Sequence, residues 1–374
     1  MKKVIVISAI NFRSGGPLSI LNDCLQYLDN NLTKEYKVVA LVHDKSIIMK
    51  TDNVEYIEFP KSIQSYIYRL YYEYIYFNKL SKEINSYLWL SLHDMSPKVI
   101  TEIQAVYCHN PSPFYKISFK ELFLDTKFAL FSWFYKYLYK INIKSNDFVV
   151  VQQSWMRKKF TEMYDIKKCI VSHPIVNIET INHSYNENKK EKTLFFYPSF
   201  PRVFKNFEVI CEASKKLNDK NITDFEVFLT IDGKENKYSN SIYNKYKNIK
   251  NINFVGLQSR TKVFEFYSMA DCIIFPSKLE TWGLPISEFK EFKKPIFLAD
   301  LEYAHETVGK YDFSKFFNPN DANELSQYME ELICKNINYE NHNINLPASP
   351  FAQKWDELFN ILLNNKGGIK NATN

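Results

Sequence analysis

Two carboxylates, Glu280 and Glu288, stand eight positions apart in Phe275-Pro-Ser-Lys-Leu-Glu-Thr-Trp-Gly-Leu-Pro-Ile-Ser-Glu-Phe289. A short apolar run, Cys272 to Phe275, precedes the segment, and Ile286 to Lys294 follows it at roughly helical spacing. The segment therefore reads as a strand-to-helix turn. Gly283 lets the backbone approach a ligand closely, and Pro285 suits a first helical position, where its missing N–H costs nothing. Free amides at a helix start favour an anion, typically phosphate. Carboxylates in the loop and in the first helical turn add acceptors for hydroxyl groups. Together they fit a polyhydroxyl ligand that also bears phosphate, such as a sugar nucleotide.

A second constellation lies in Pro198-Ser-Phe-Pro-Arg-Val-Phe-Lys-Asn206, between a strand at Thr193 to Tyr197 and a helix at Phe204 to Leu217. Arg202 offers a bidentate fork and Lys205 a point charge, a pair able to hold a diphosphate and to offset charge on a leaving nucleotide. Cations are unfavourable at a helix start, so an anionic partner is expected there. Near the N-terminus, Gly15 and Gly16 follow the first strand and can bring amides against a phosphate or sugar. They do not form G-x-G-x-x-G, which argues against a dinucleotide-dependent dehydrogenase. His109 ends another strand and precedes a proline-punctuated loop, from which it can donate to a sugar hydroxyl or position a reacting group. His93-Asp94 is a weaker candidate of the same kind.

The elements that must position these residues form two series. Strands are expected at Val4 to Ile10, Tyr36 to Val42, Val54 to Phe59, Tyr87 to Leu92, Ala105 to Cys108 and Asp147 to Val151, with helices such as Leu18 to Leu28 and Ile63 to Ile84 between them. A polar stretch, 177–192, then reads as a linker. A second series follows: strands Thr193 to Tyr197, Glu226 to Ile231, Ile252 to Val255, Cys272 to Phe275 and Ile296 to Leu298, with helices Phe204 to Leu217, Thr261 to Met269 and Ile286 to Lys294. Alternation of this kind implies parallel sheets. The fold class is α/β, with two Rossmann-like domains facing each other across a cleft. The divisions are 1–176 for an acceptor domain, 193–349 for a nucleotide-sugar donor domain, and a helix over 350–366 that returns to the first domain. Residues 367–374 read as a disordered tail.

With 45% hydrophobic and 16% aromatic residues, the 374-residue chain has ample material for sizeable cores. A net charge of +6 is too mild to imply nucleic-acid binding. Only eight glycines occur, against roughly 26 at average usage, and most stand where a strand gives way to a loop, where open α/β sheets bind ligands. The six cysteines are scattered without paired spacing and read as reduced core residues of a cytoplasmic protein, neither a disulfide framework nor a metal site. Val4 to Ile10 is too short for a signal peptide, and no run approaches 18 apolar residues.

The set of Gly15 and Gly16, His109, Arg202 with Lys205, the Asn253-Phe-Val-Gly256 run, Ala270-Asp271, and Glu280 with Glu288 resembles the family 4 glycosyltransferases of GT-B fold over nearly the whole chain. The two-glutamate motif with Gly-Leu-Pro is its most specific part. The resemblance implies retaining, metal-independent transfer of a hexose from a UDP- or GDP-linked sugar, with no cofactor. It places Arg202 and Lys205 on the donor diphosphate and Glu288 on the ribose hydroxyls. Glu280, with amides around Gly283 and Leu284, would contact the transferred sugar, and His109 with the Gly15-Gly16 loop would line the acceptor and sugar side. The family's glycine before the arginine is Pro201 here, the one after the lysine is Asn206, and the one often found after the motif helix is replaced by Lys293 and Lys294. These changes put loop geometry in question more than activity.

Similar enzymes build bacterial surface polysaccharide, lipopolysaccharide or capsule, on glycan or polyprenyl-diphosphate-linked glycan acceptors at the inner face of the membrane. Two aromatic, basic stretches, Tyr66 to Lys79 and Phe128 to Lys140, fit peripheral contact with anionic lipid. Two other readings stay open: a nucleotide-sugar epimerase of the same fold, and a non-catalytic sugar- or lipid-binding subunit.

Overall fold

The computed structural model describes residues 2–174, 191–339 and 346–364. The chain divides into two compact units. The first comprises 1–114, 132–175 and 347–374, and the second comprises 115–131 and 176–346. The linker expected at 177–192 falls, up to residue 190, outside the described residues, as does the tail at 367–374.

In the first unit β1 (Lys3–Ala9), β2 (Tyr36–Val42), β3 (Val54–Glu58), β4 (Ser86–Ser91), β5 (Ile103–Cys108), β6 (Phe148–Val151) and β7 (Cys169–Ser172) form a parallel sheet. The inner strands are apolar on both faces because helices cover both, whereas the edge strand β3 carries the exposed Glu55 and Glu58. Along β1 the side chains alternate: Ile5 and Ile7 pack with Leu21, Leu25 and Leu28 of the helix Gly15–Asn31. Val4 and Val6 pack on the other face with Phe77 and Trp89. The second unit holds β8 (Thr193–Tyr197), β9 (Phe225–Leu229), β10 (Ile252–Phe254), β11 (Cys272–Phe275), β12 (Ile296–Ala299) and β13 (Ser314–Phe317), again all parallel. A last strand, β14 (Phe351–Ala352), joins the first sheet beside β7. The helix Trp355–Asn364 follows it into that unit's core, with Phe359 stacked on Tyr27 at 5.7 Å.

The strand orders are β14-β7-β6-β5-β4-β1-β2-β3 and β10-β9-β8-β11-β12-β13. Each reverses direction once, between β1 and β4 in the first sheet and between β8 and β11 in the second. Loops at the carboxyl ends of those strand pairs diverge to opposite faces and leave a crevice, the usual ligand position in an open α/β sheet.

Four elements depart from expectation, one being the helix Phe204 to Leu217, which begins at Phe207 after a 3-10 turn. The helix Ile63 to Ile84 begins at Tyr66 and carries a π turn at Tyr72–Tyr76. The helix after the two-glutamate loop is Leu284–Lys290, not Ile286 to Lys294, because it starts on the glycine itself and closes at a turn in which Lys293 has a φ of +54°. Residues 115–131 pack with the second unit, where the rings of Tyr115 and Phe128 lie 6.0 Å and 4.9 Å from Phe204.

Candidate functional site

At the crevice of the second sheet, the loop after β8 and the loop after β11 carry the charged residues. The β8 loop ends in a 3-10 turn, Val203–Lys205, anchored where Tyr197 Oη donates to Lys205 O at 2.9 Å. Lys278 N donates to Phe204 O at 2.7 Å, tying the two loops together. Asn206 adopts φ +57°, a left-handed conformation that asparagine tolerates better than most residues. Its buried Nδ2 donates to Pro319 O at 2.7 Å and Pro276 O at 3.2 Å. The departure from glycine at this position therefore keeps the backbone shape and adds two hydrogen bonds. Pro201, the other departure, accepts from Asn236 Nδ2 at 2.7 Å.

This geometry brings Lys205 and Glu280 together: Nζ of Lys205 donates to Glu280 Oε1, with both side chains largely buried. Arg202 lies on the same loop, yet its guanidinium pairs with Asp125 Oδ2 at 3.2 Å. The local charges thus balance, two cations against two carboxylates. Asp125 was invisible to motif reasoning because it lies 77 positions away in a stretch with no chemical pattern of its own.

Gly283 has φ +87°, and a Cβ there would come within 3.0 Å of Ile286 Cδ1 and 3.4 Å of Phe275 Cε1. Any side chain would disturb the packing that sets the Glu280 loop. Glu288 was expected in the first helical turn. With the helix starting at Leu284, it sits one turn in and is buried, where it accepts from Arg260 Nη1 at 2.9 Å and Tyr267 Oη at 3.0 Å. Burial and the adjacent carboxylate push the Tyr267 hydroxyl well above its ordinary pKa, so it stays a donor. Each carboxylate oxygen retains a further lone pair for a ligand hydroxyl. Neither Arg260 nor Tyr267 carried a sequence signal, since both read as ordinary residues of an amphipathic helix.

The remaining candidates lie in the first unit. Gly15 opens its helix at φ +69° with open space where a Cβ would stand, and Gly16 follows in the first turn. His109 ends β5. Its backbone N–H and that of Asn110 both donate to Asp94 Oδ1, at 2.5 Å and 3.2 Å. Tyr135 and Tyr139 donate to the same carboxylate at 3.0 Å and 2.8 Å. Asp94, a weak candidate in the sequence, is thus the hub that shapes the His109 loop. The imidazole packs against Tyr107 and edge-on to Phe12, and burial lowers its pKa. It is a neutral hydrogen-bonding group at physiological pH.

Residues 177–345 match the family described as Glycosyl transferases group 1. The fold is shared with the lipopolysaccharide outer core galactosyltransferase WaaB, at 12% identity and a TM-score of 0.63 over 90% of this chain and 92% of that one. It is shared equally with a glycosyltransferase from Rickettsia africae, at 18% identity and 0.61 over 88% and 87%. WaaG, a glycosyltransferase involved in lipopolysaccharide biosynthesis, aligns at 12% identity and 0.61 over 88% and 90%. A comparison with curated proteins finds no match. The chain has the GT-B fold of these glycosyltransferases. Its group 1 glycosyl transferase segment is the half that holds Arg202, Lys205, Glu280 and Glu288.

Proposed function

We propose that the protein is a retaining, metal-independent hexosyltransferase. It takes its sugar from a UDP- or GDP-linked donor and passes it to a glycan or lipid-linked glycan in bacterial surface-polysaccharide synthesis. The observation that carries this reading is the Lys205–Glu280 contact at the crevice of the second sheet, beside Gly283. In this assignment Lys205 and Arg202 hold the diphosphate and stabilise the charge that develops on it as the glycosidic bond breaks, work that a metal ion does in other enzymes. Glu280 and the amides of Gly283 and Leu284 hold the transferred sugar, and Glu288 accepts from the ribose. His109, with Gly15 and Gly16, lines the acceptor side. Support for the donor class comes from a structural neighbour, Anabaena HepE in complex with UDP and glucose, at 12% identity and a TM-score of 0.55 over 88% of this chain and 90% of that one. The two lipopolysaccharide enzymes support the setting.

The test is transfer in the presence of a chelator, with the anomeric configuration of the product read by proton NMR. The expected result is undiminished turnover and a product with the donor's anomeric configuration. An inverted anomer, or activity that disappears with chelator and returns with a divalent ion, contradicts the proposal. Formation of an epimerised nucleotide sugar without acceptor would favour the epimerase instead.

A further inference from the structure

The crevice of the first sheet also holds basic residues that the assignment above does not use. Asn11 and Arg13, after β1, and Ser62, Gln64, Ser65 and Arg69, from the segment leading into the helix Tyr66–Tyr71, line a pocket of about 260 Å³. Arg69 is only 7% exposed. One of its terminal nitrogens donates to His93 O at 2.8 Å, its Nε has no partner among the described residues, and it forms no ion pair among them. Buried guanidinium groups are normally paired, because an uncompensated charge is costly to desolvate.

The nearest acid along the helix does not compensate it. Glu73, in the π turn, is fully buried with Oε1 2.7 Å from His93 Nε2. Desolvation raises its pKa to about 8, so it is neutral at pH 7. The other nearby carboxylate, Asp94, forms no ion pair with Arg69 among the described residues and accepts instead from two tyrosine hydroxyls and two backbone amides. Arg13 adds a second, exposed guanidinium, held by a 2.8 Å bond to Ile63 O. The Oδ1 of Asn11 is a further buried atom without a partner among the described residues. Single-turn π insertions recur at functional sites, and the pocket sits beside the β1/β4 reversal of strand order.

We propose that this pocket binds the phosphate of a phosphorylated sugar, with Arg69 and Arg13 gripping the oxyanion and Asn11 free to accept from a sugar hydroxyl. As an assignment of acceptor class it rests on the transfer reaction proposed above, the phosphate being that of a phosphate-bearing glycan acceptor. As a binding site it stands on its own residues. Guanidinium forks match phosphate oxygens bidentately, and the pocket has room for a group of that size with part of a sugar.

The experiment is calorimetric titration of the full chain with inorganic phosphate, glucose 6-phosphate and glucose. Concentrations reach about 10 mM, where a site with a Kd of about 1 mM is largely filled. Binding of glucose 6-phosphate and phosphate but not glucose is expected. Arg69→Gln should weaken it about tenfold or more. Because Arg69 is buried, the exposed variant Arg13→Gln serves as a second probe, and a several-fold loss is expected from a protein of unaltered melting temperature. No binding by the wild type, or binding that survives both arginine variants and vanishes with Lys205→Ala, overturns the inference. The two proposals fail separately: a protein that binds phosphate but no nucleotide diphosphate loses only the donor assignment, and the converse loses only this pocket.

Discussion

Arg202 is the residue whose pairing has the most direct functional consequence. Any diphosphate that uses it must compete with Asp125, which sits 3.2 Å away. Asp125→Asn removes that competitor and should tighten nucleotide-diphosphate binding two- to fivefold, corresponding to a partly exposed pair worth about 0.5–1 kcal/mol. Weaker binding in that variant would show that Asp125 positions Arg202 instead of masking it. Backbone conformation gives a second prediction. Gly283→Ala forces a Cβ into φ +87° against Ile286 and Phe275 and should cost about 1–3 kcal/mol in urea denaturation. Lys293→Gly relieves φ +54° and should stabilise by about 0.5–1 kcal/mol. The sequence exposed most of the charged residues at this scale, because motif spacing shows which side chains leave one turn together. It did not expose their partners. Asp125, Arg260 and Tyr267 reach the site through tertiary packing, which leaves no local periodicity.

The interrupted helix over residues 66–84 carries a pH-sensitive element. Glu73 has a folded-state pKa near 8, raised by burial from about 4.5. The folded protein therefore binds one proton more than the unfolded chain between those values, and this group makes stability fall as pH rises through the interval. Buried His93, with its pKa lowered by desolvation, works in the opposite direction below about pH 6.5 and contributes nothing above it. From pH 6.5 to 8 the Glu73 effect is left alone, approaching about 1.4 kcal/mol per pH unit. Glu73→Gln should remove that slope in chemical denaturation, and an unchanged pH profile would contradict a neutral, buried Glu73. The helix Thr126–Lys140 makes a different prediction. Its inner face buries Phe128, Ser132, Tyr135 and Tyr139, while Trp133, Phe134 and Tyr137 stand exposed beside Lys136 and Lys140. An outward face of this kind suits an anionic lipid interface. Co-sedimentation with vesicles containing anionic lipid should fall several-fold in Trp133→Ser/Phe134→Ser, and equal binding of both proteins would exclude this face. Element positions were legible wherever strands are continuous apolar runs. β7 and β13 were not expected; in β13, Ser314-Lys315 reads as polar although Lys315 is largely buried on Glu331 at 2.8 Å and over the Tyr328 ring. The π turn was equally invisible, since one extra residue in a tyrosine-rich helix barely alters its periodicity.

At the scale of the molecule, two parallel sheets each reverse strand order once, and each reversal gathers the chain's basic and polar loop residues at the strands' carboxyl ends. The alternation of strand and helix made that architecture readable. The concentration of phosphate-type chemistry after β8 and β11 is what supports the proposed division of labour. What the alternation left open was the course of 115–131, whose aromatic residues join the second unit through Phe204. No helix among the described residues is long and apolar enough to cross a membrane. The central claim is that the second sheet's crevice is a nucleotide-sugar donor site built on Lys205, Glu280 and Glu288. Calorimetric titration with UDP, GDP and their hexose conjugates, on wild type, Lys205→Ala and Glu288→Ala, tests it most directly. The account predicts one base to bind the wild type, with affinity lower by about tenfold or more in each variant, the cost of one charge-assisted hydrogen bond lost. Equal affinity in all three proteins, or no binding of any nucleotide diphosphate by the wild type, would contradict it.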